Sequence, residues 1–289
     1  MKKKGLSTSH LFLLPAGIIY ISVVISPVFY SAFLSLFKWN GIGKMRFRGL
    51  GNYVQLFSED PVFHKALVNN FIWIILTLVL STLLALCLAV MLNKEFRGRT
   101  FFRGLFYLPA VIAPIAVSII WRWIYNPEWG FINQMSKLLG SSFSQNWLST
   151  PSLSIYAVFG TNLWQSVGQP MIFFLAGLQT VPVDCLEAAT IDGASNWRRF
   201  LHVTIPLLKE TFVIVIANLL IGAMKVFDII MGLTAGGPAD STQMMSTYMQ
   251  SQTFRYNNVG YGAAIAVLMV LFMLVVIVPY VRFTASRDN

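Results

Sequence analysis

The sequence predicts an all-α integral membrane protein: six transmembrane helices, with a patterned polar loop between the fourth and the fifth. Three observations carry this. Of 289 residues, 56% are hydrophobic and only 11% charged, against about 25% charge in a soluble domain. Six apolar stretches reach the ~20 residues that a helix needs to cross ~30 Å of hydrocarbon. The basic residues, which set a net charge of +10, sit in the gaps between those stretches. That is the pattern of membrane loops, not the basic face of a nucleic-acid binder.

The first span runs from Leu11 to about Phe37. Lys2, Lys3 and Lys4 precede it as in a signal peptide, but it is about twice the length of an apolar signal core and no Ala-x-Ala follows, so it is read as retained. The second runs from about Ala66 to Leu92, the third from Gly104 to Ile124 and the fourth from Leu153 to Leu178. The fifth covers about Leu207–Met231 and the sixth about Tyr261–Phe283. Long runs in lipid favour helices, which satisfy their own backbone groups. With no linker or internal repeat, residues 1–289 read as one transmembrane domain, 1–65 being the first span plus an external loop and 66–284 the core spans.

Orientation follows the basic residues. Lys2–Lys4 put the N-terminus in the cytoplasm, and six spans return the C-terminus there with Arg282 and Arg287. Lys94, Arg97, Arg99 and Arg103 follow span two, and Arg198, Arg199 and Lys209 follow span four. The external gap after span one dissents, with Lys38, Lys44, Arg46, Arg48 and Lys65. Trp121, Trp123, Tyr125 and Trp129 gather at the outer end of span three as an aromatic belt.

Several chemistries lack their motifs. There is no P-loop for ATP, no HExxH among His10, His64 and His202, and no GxSxG, so no metal site and no catalytic residue is expected. Cys87 sits in an apolar run and Cys185 in a polar one, which argues against a disulfide.

The polar stretch Val181–Pro206 is too polar to span and too patterned for a plain loop. Asp184 with Glu187 resembles a capping box that starts a helix after Pro182. Gly193 suits the left-handed residue that ends that helix. Ser195 then caps a second helix over Asn196–Thr204, which Pro206 closes.

Glu187-Ala188-Ala189, three residues, Gly193, nine residues and Val203-Thr204-Ile205-Pro206 together resemble the EAA loop of binding-protein-dependent ABC importers. The family pattern ends in I-x-L-P, from which Val203 and Ile205 are conservative departures. Phe12–Gly41, Phe47–Phe57, Asn93–Asn133 and Phe227–Thr242 are similar to one subfamily, the carbohydrate-type permeases related to the maltose and glycerol-3-phosphate importers.

The resemblance implies a non-catalytic permease subunit in the bacterial plasma membrane. Its implied partners are a second similar permease, two ATPase subunits that bind ATP-Mg, and an extracytoplasmic solute-binding protein. The short helix would dock in a groove of the ATPase, with Glu187 as anchor, Ala188 and Ala189 allowing close approach, Asp192 and Gly193 at the turn, and Arg198, Arg199 and Pro206 completing the loop. The basic external gap and the Gly236-Gly237-Pro238 turn would face the binding protein.

Polar residues within spans usually face an interior or a cavity. Span four offers Asn162, Trp164, Gln165, Ser166 and Gln169, and span five Asn218, Lys225 and Asp228. Asn162 matches a substrate-site asparagine of the maltose relatives; Gln165 and Ser166 occupy site positions with other residue types. Lys225 and Asp228, three apart, can pair on one helix face. Site positions of the maltose relatives on span five are taken by Ala223 and Val226, so the ligand is held differently. The leading reading is a sugar permease. A polyol-phosphate permease comes second, and a self-sufficient secondary transporter third, without the inverted repeats such proteins show.

Overall fold

A computed structural model describes residues 8–140 and 144–285. Lys2–Lys4 and Arg287, on which part of the orientation rests, lie outside them. By backbone contacts the chain divides into two compact units, Met1–His64 with Tyr248–Phe272, and Lys65–Thr247 with Met273–Asn289.

The described residues are overwhelmingly helical, with one short antiparallel ladder in which Phe37 faces Phe47 and Lys38 faces Arg46. Three helices are long and apolar enough to cross a membrane alone: Phe12–Leu34, Pro61–Asn93 and Val259–Tyr280. Three pairs of shorter helices pass the same test together although each is bent, which gives up to six spans if every pair is one.

In the first unit, Phe12–Leu34 exposes most of its side chains, including Phe12, Ile19, Val23 and Phe29. The short helix Gly51–Ser58 buries Asn52 and Leu56 and exposes Val54 and Phe57. The Asn52 amide donates to the carbonyls of Ser35 and Phe37, at 2.7 and 3.0 Å, and so fixes the exit from the first span.

In the second unit, Ala85 and Ala89 of the helix Thr82–Asn93 are fully buried in a core with Met171, Phe174 and Leu175 of the helix Gly168–Gln179. Small residues one turn apart let two membrane helices approach closely. Phe174 stacks edgewise on Phe212 with centroids 4.9 Å apart. The helix Thr82–Asn93 leaves its last carbonyls without intrahelical partners, and the Arg103 guanidinium donates to one of them, Leu92 O, at 2.8 Å.

Three expectations need correction. The third span is not one rod: Arg99–Val111 and Pro114–Ile124 meet at 101°. Pro114 has no N–H and drives the residue before it out of helical geometry; Ala113 is accordingly extended at ψ 133°. The fifth span breaks too. The helix Lys209–Met224 stops at Lys225, and a new helix, Asp228–Leu233, begins after non-helical Phe227. Lys225 and Asp228 therefore do not share a helix face, and no ion pair within 4.0 Å joins them among the described residues. The aromatic belt is split: Trp123 and Trp129 are exposed, but Tyr125 is buried and donates to Ala157 O at 2.8 Å. Its hydroxyl satisfies a helix carbonyl rather than reaching interfacial water. Cys87 and Cys185 are both free thiols.

Candidate functional site

Two features of the second unit bear on function. The first is a cavity of about 230 Å³. Seven of the eight in-span polar residues singled out above line it: Asn162, Gln165, Ser166, Gln169, Asn218, Lys225 and Asp228. Trp164 does not. It is half exposed and sits edge-on to Trp121, centroids 5.6 Å apart.

The helix breaks build this cavity. Where the third span bends, the freed carbonyl of Ile112 accepts from Gln165 Nε2 at 2.9 Å, so Gln165 repairs the break as well as lining the space. Where the fifth span breaks, Lys225, Val226 and Phe227 present unwound chain to the cavity, and Asp228 joins them from the start of the next helix. The buried Ser246 hydroxyl donates to the freed Val226 carbonyl. Irregular backbone at membrane depth is tolerated where it lines a cavity or is buried in protein.

Sequence reasoning missed Trp73 and Thr77, which line the cavity from the second span. The available signal was Thr77 in an otherwise apolar run, at the start of a π-helical turn, Thr77–Ser81; such turns are frequent at functional sites. Thr77 Oγ1 and Ser166 Oγ are buried without a hydrogen-bond partner, and both residues line the cavity. An unpartnered buried hydroxyl costs about 1–3 kcal/mol, a cost that a hydroxylated ligand or water would remove. Among the described residues no group of three or more His, Cys, Asp or Glu could hold a metal ion.

The second feature is the loop. The helix Gly168–Gln179 turns by 69° into Val183–Ile191, which buries none of its residues. No capping box forms: Pro182 is the N-cap and has no side-chain acceptor. Asp184, two residues past the N-cap, does not cap but still places negative charge in the first turn, where the helix dipole favours it. Gly193 holds φ +77°, and Ala194 N donates back to Ala189 O at 3.0 Å, closing the helix through a left-handed residue. Ser195 caps the next helix, its Oγ accepting from Arg198 N at 3.4 Å.

That second helix does not close at Pro206. It runs through a π-helical turn, Phe200–Thr204, and through Ile205–Leu207 before bending 69° at Leu208 into Lys209–Met224. A π-turn and a proline are both recognised causes of a kink, and here they act together just ahead of the bend. Arg199 donates to Thr190 Oγ1 and Asn196 Oδ1, tying the two loop helices together. Glu187 and Arg198 are exposed. Replacing Ser195 by alanine removes the cap, a loss of about 1 kcal/mol. The amides of Asn196–Arg199 should then exchange about fivefold faster by hydrogen–deuterium exchange, with no change in the spans.

Comparison with known proteins agrees with this architecture. Residues 78–286 match the family described as the binding-protein-dependent transport system inner membrane component. A probable ABC transporter permease protein of Pyrococcus horikoshii is 36% identical, with 96% of each chain covered. The trehalose/maltose transport system permease protein of Thermococcus litoralis is 32% identical over 99% of this chain and 96% of its own. The lactose transport system permease protein of Rhizobium radiobacter is 33% identical over 96% and 94%. The fold matches a chain of a bacterial ABC transporter involved in the import of the acidic polysaccharide alginate, with a TM-score of 0.84 at 21% identity, covering 97% of this chain and 96% of that one. The family match covers more than half of the chain, and this chain belongs to the family of inner membrane components of binding-protein-dependent transport systems.

Proposed function

We propose that the chain is the permease subunit of an ATP-driven sugar importer, forming half of the translocation pathway. The observation that carries this is the cavity: side-chain amides, two unpartnered hydroxyls and a tryptophan converge on one space between broken helices. Amides, hydroxyls and aromatic faces are the groups that bind a neutral polyhydroxylated ring. Named relatives transport trehalose, maltose and lactose, which supports a mono- or oligosaccharide. A polyol phosphate is less well supported, because the cation of the cavity, Lys225, shares its wall with the carboxylate of Asp228. A self-sufficient secondary transporter would have no use for a binding protein.

The exposed helix Val183–Ile191 is the cytoplasmic coupling helix, with Glu187, Ala188 and Ala189 in the groove of an ATPase subunit and Arg198 beside it. ATP closure of two ATPase subunits moves this helix, and the spans exchange inward-open for outward-open. ATP shifts that equilibrium only by its differential affinity for the two states, and the loaded binding protein couples reciprocally. Both termini are cytoplasmic, and a second, similar permease supplies the other half of the pathway.

The test is uptake of labelled trehalose, maltose and lactose into proteoliposomes that hold the full complex. Uptake of at least one sugar should require both ATP and the binding protein. Asn162→Ala should lower the initial rate about five- to tenfold, the loss of one hydrogen bond of about 1 kcal/mol or slightly more. Sugar accumulation without the ATPase subunits would overturn the reading.

A further inference from the structure

A second cavity, of about 450 Å³, lies wholly within the first unit and shares no residue with the one above. It has the size of a small-molecule site, about 300–1,000 Å³. Its wall has a particular hydrogen-bond polarity. The one carboxylate, Asp60, is already consumed: Oδ1 accepts from Phe63 N at 2.9 Å, and Oδ2 from the hydroxyls of Tyr248 and Tyr261, each at 2.6 Å. Gln252 is consumed as well, donating to the Tyr248 hydroxyl at 2.8 Å and accepting from Asn258 Nδ2 at 3.0 Å.

The neutral donors of the wall are largely engaged too, but those of its two cations are not. Arg48 Nη1 donates to the amide oxygens of Asn52 and Gln55, at 3.1 and 2.8 Å, which leaves the rest of its five N–H donors. Among the described residues neither Arg48 nor Lys38 has an acidic group within 4.0 Å. The lining is therefore short of acceptors and carries two cations against one carboxylate that is already fully bonded. Trp39 adds an aromatic face. The exposed apolar side of the helix Gly51–Ser58, Val54 and Phe57, points away from Asn52 and Gln55 by helical spacing, so the cavity does not face the side of that helix suited to lipid.

We infer that this cavity binds a small polyhydroxylated carboxylate, a sugar acid, whose carboxylate sits between Lys38 and Arg48. Charge-assisted bonds to a carboxylate are roughly twice as strong as neutral ones. The cations therefore select the acid over the neutral sugar, while Gln55, Asn258 and Trp39 meet the hydroxylated ring. This reading stands apart from the sugar-transport proposal, which concerns other residues.

The experiment is isothermal titration of D-glucuronate, D-glucose and acetate into the assembled complex in lipid nanodiscs. Glucuronate should bind saturably, with glucose and acetate at least tenfold weaker. Lys38→Gln should weaken glucuronate at least tenfold and Lys38→Arg should restore it, each with an unchanged melting temperature. Equal binding of glucuronate and glucose, or no effect of Lys38→Gln, would overturn the inference. So would a loss that follows Asn162→Ala instead, since it would put the ligand in the other cavity. If glucuronate fails to bind while Lys38→Gln weakens capture of the binding protein, the cations serve a protein contact and the sugar-acid site does not exist.

Discussion

Glu187→Ala should abolish the stimulation of ATP hydrolysis by sugar-loaded binding protein, and uptake with it, by a factor of ten to a thousand. The helix that carries Glu187 buries nothing within its own chain, and the Glu187 carboxylate has no hydrogen-bond or ion-pair partner among the described residues. Its neighbours Ala188 and Ala189 leave the carboxylate standing clear of bulk. In the docking proposed above it would accept charge-assisted bonds worth about 1.5–3 kcal/mol. Truncation also strands the partner's donor in a dry groove, which raises the loss towards 3–5 kcal/mol. Glutamate and alanine are both good helix formers, so the helix persists and the defect is one of coupling. Glu187→Gln keeps the shape and one acceptor and should lose less. Full stimulation in the Glu187→Ala complex would show that this helix is not the point of transmission.

A large structural effect is expected at Gly168. A Cβ there would stand 2.6 Å from the Phe106 carbonyl oxygen and 2.7 Å from the Tyr107 Cα. Both are backbone atoms of the helix Arg99–Val111, so no rotamer change relieves the clash and one helix has to move. Overpacking of this kind costs about 1–3 kcal/mol. The displacement should also strain the bond from Gln165 to the Ile112 carbonyl at the bend of the third span. Gly168→Ala should lower the melting temperature in detergent by about 5 °C or more, and Gly168→Val should leave little folded protein. Gly104→Ala on the facing helix meets nothing within 4 Å and should be neutral or stabilising, because alanine is the better helix former. An unchanged melting temperature for Gly168→Ala would mean that the two helices are not in the contact described.

How legible this was in the sequence depends on the range of the forces involved. Ser195 and Gly193 were readable because a cap and a left-handed stop are decided within four residues. The apolar runs were readable because length and composition alone satisfy a bilayer. The break at Lys225–Phe227 was not readable. No proline or glycine marks those residues, and the carbonyl released at Val226 is satisfied by Ser246, 20 positions away. Pro114 sits at the break in the third span, but the carbonyl freed there, Ile112 O, is met by Gln165, 53 positions on. The polar residues within the spans could be chosen by polarity, and one cavity gathers all of them except Trp164. Thr77 escaped because a hydroxyl that bonds nothing leaves little trace in a pattern of hydrophobicity.

Asn69 and Asn70 have a further consequence, for the timing of synthesis. The Asn69 amide donates to the carbonyls of Ser241 and Gln243, and Asn70 Oδ1 accepts from Met245 N, across 172, 174 and 175 positions. A ribosome adds about 5–20 residues per second, so these acceptors and donors arrive roughly 10–30 s after the helix that needs them. During that interval two amides in an apolar helix must be sheltered by water, by the insertion machinery or by another chain. The nascent permease is therefore most exposed to quality control before its last quarter is made, and its maturation is gated by the C-terminal part of its own message.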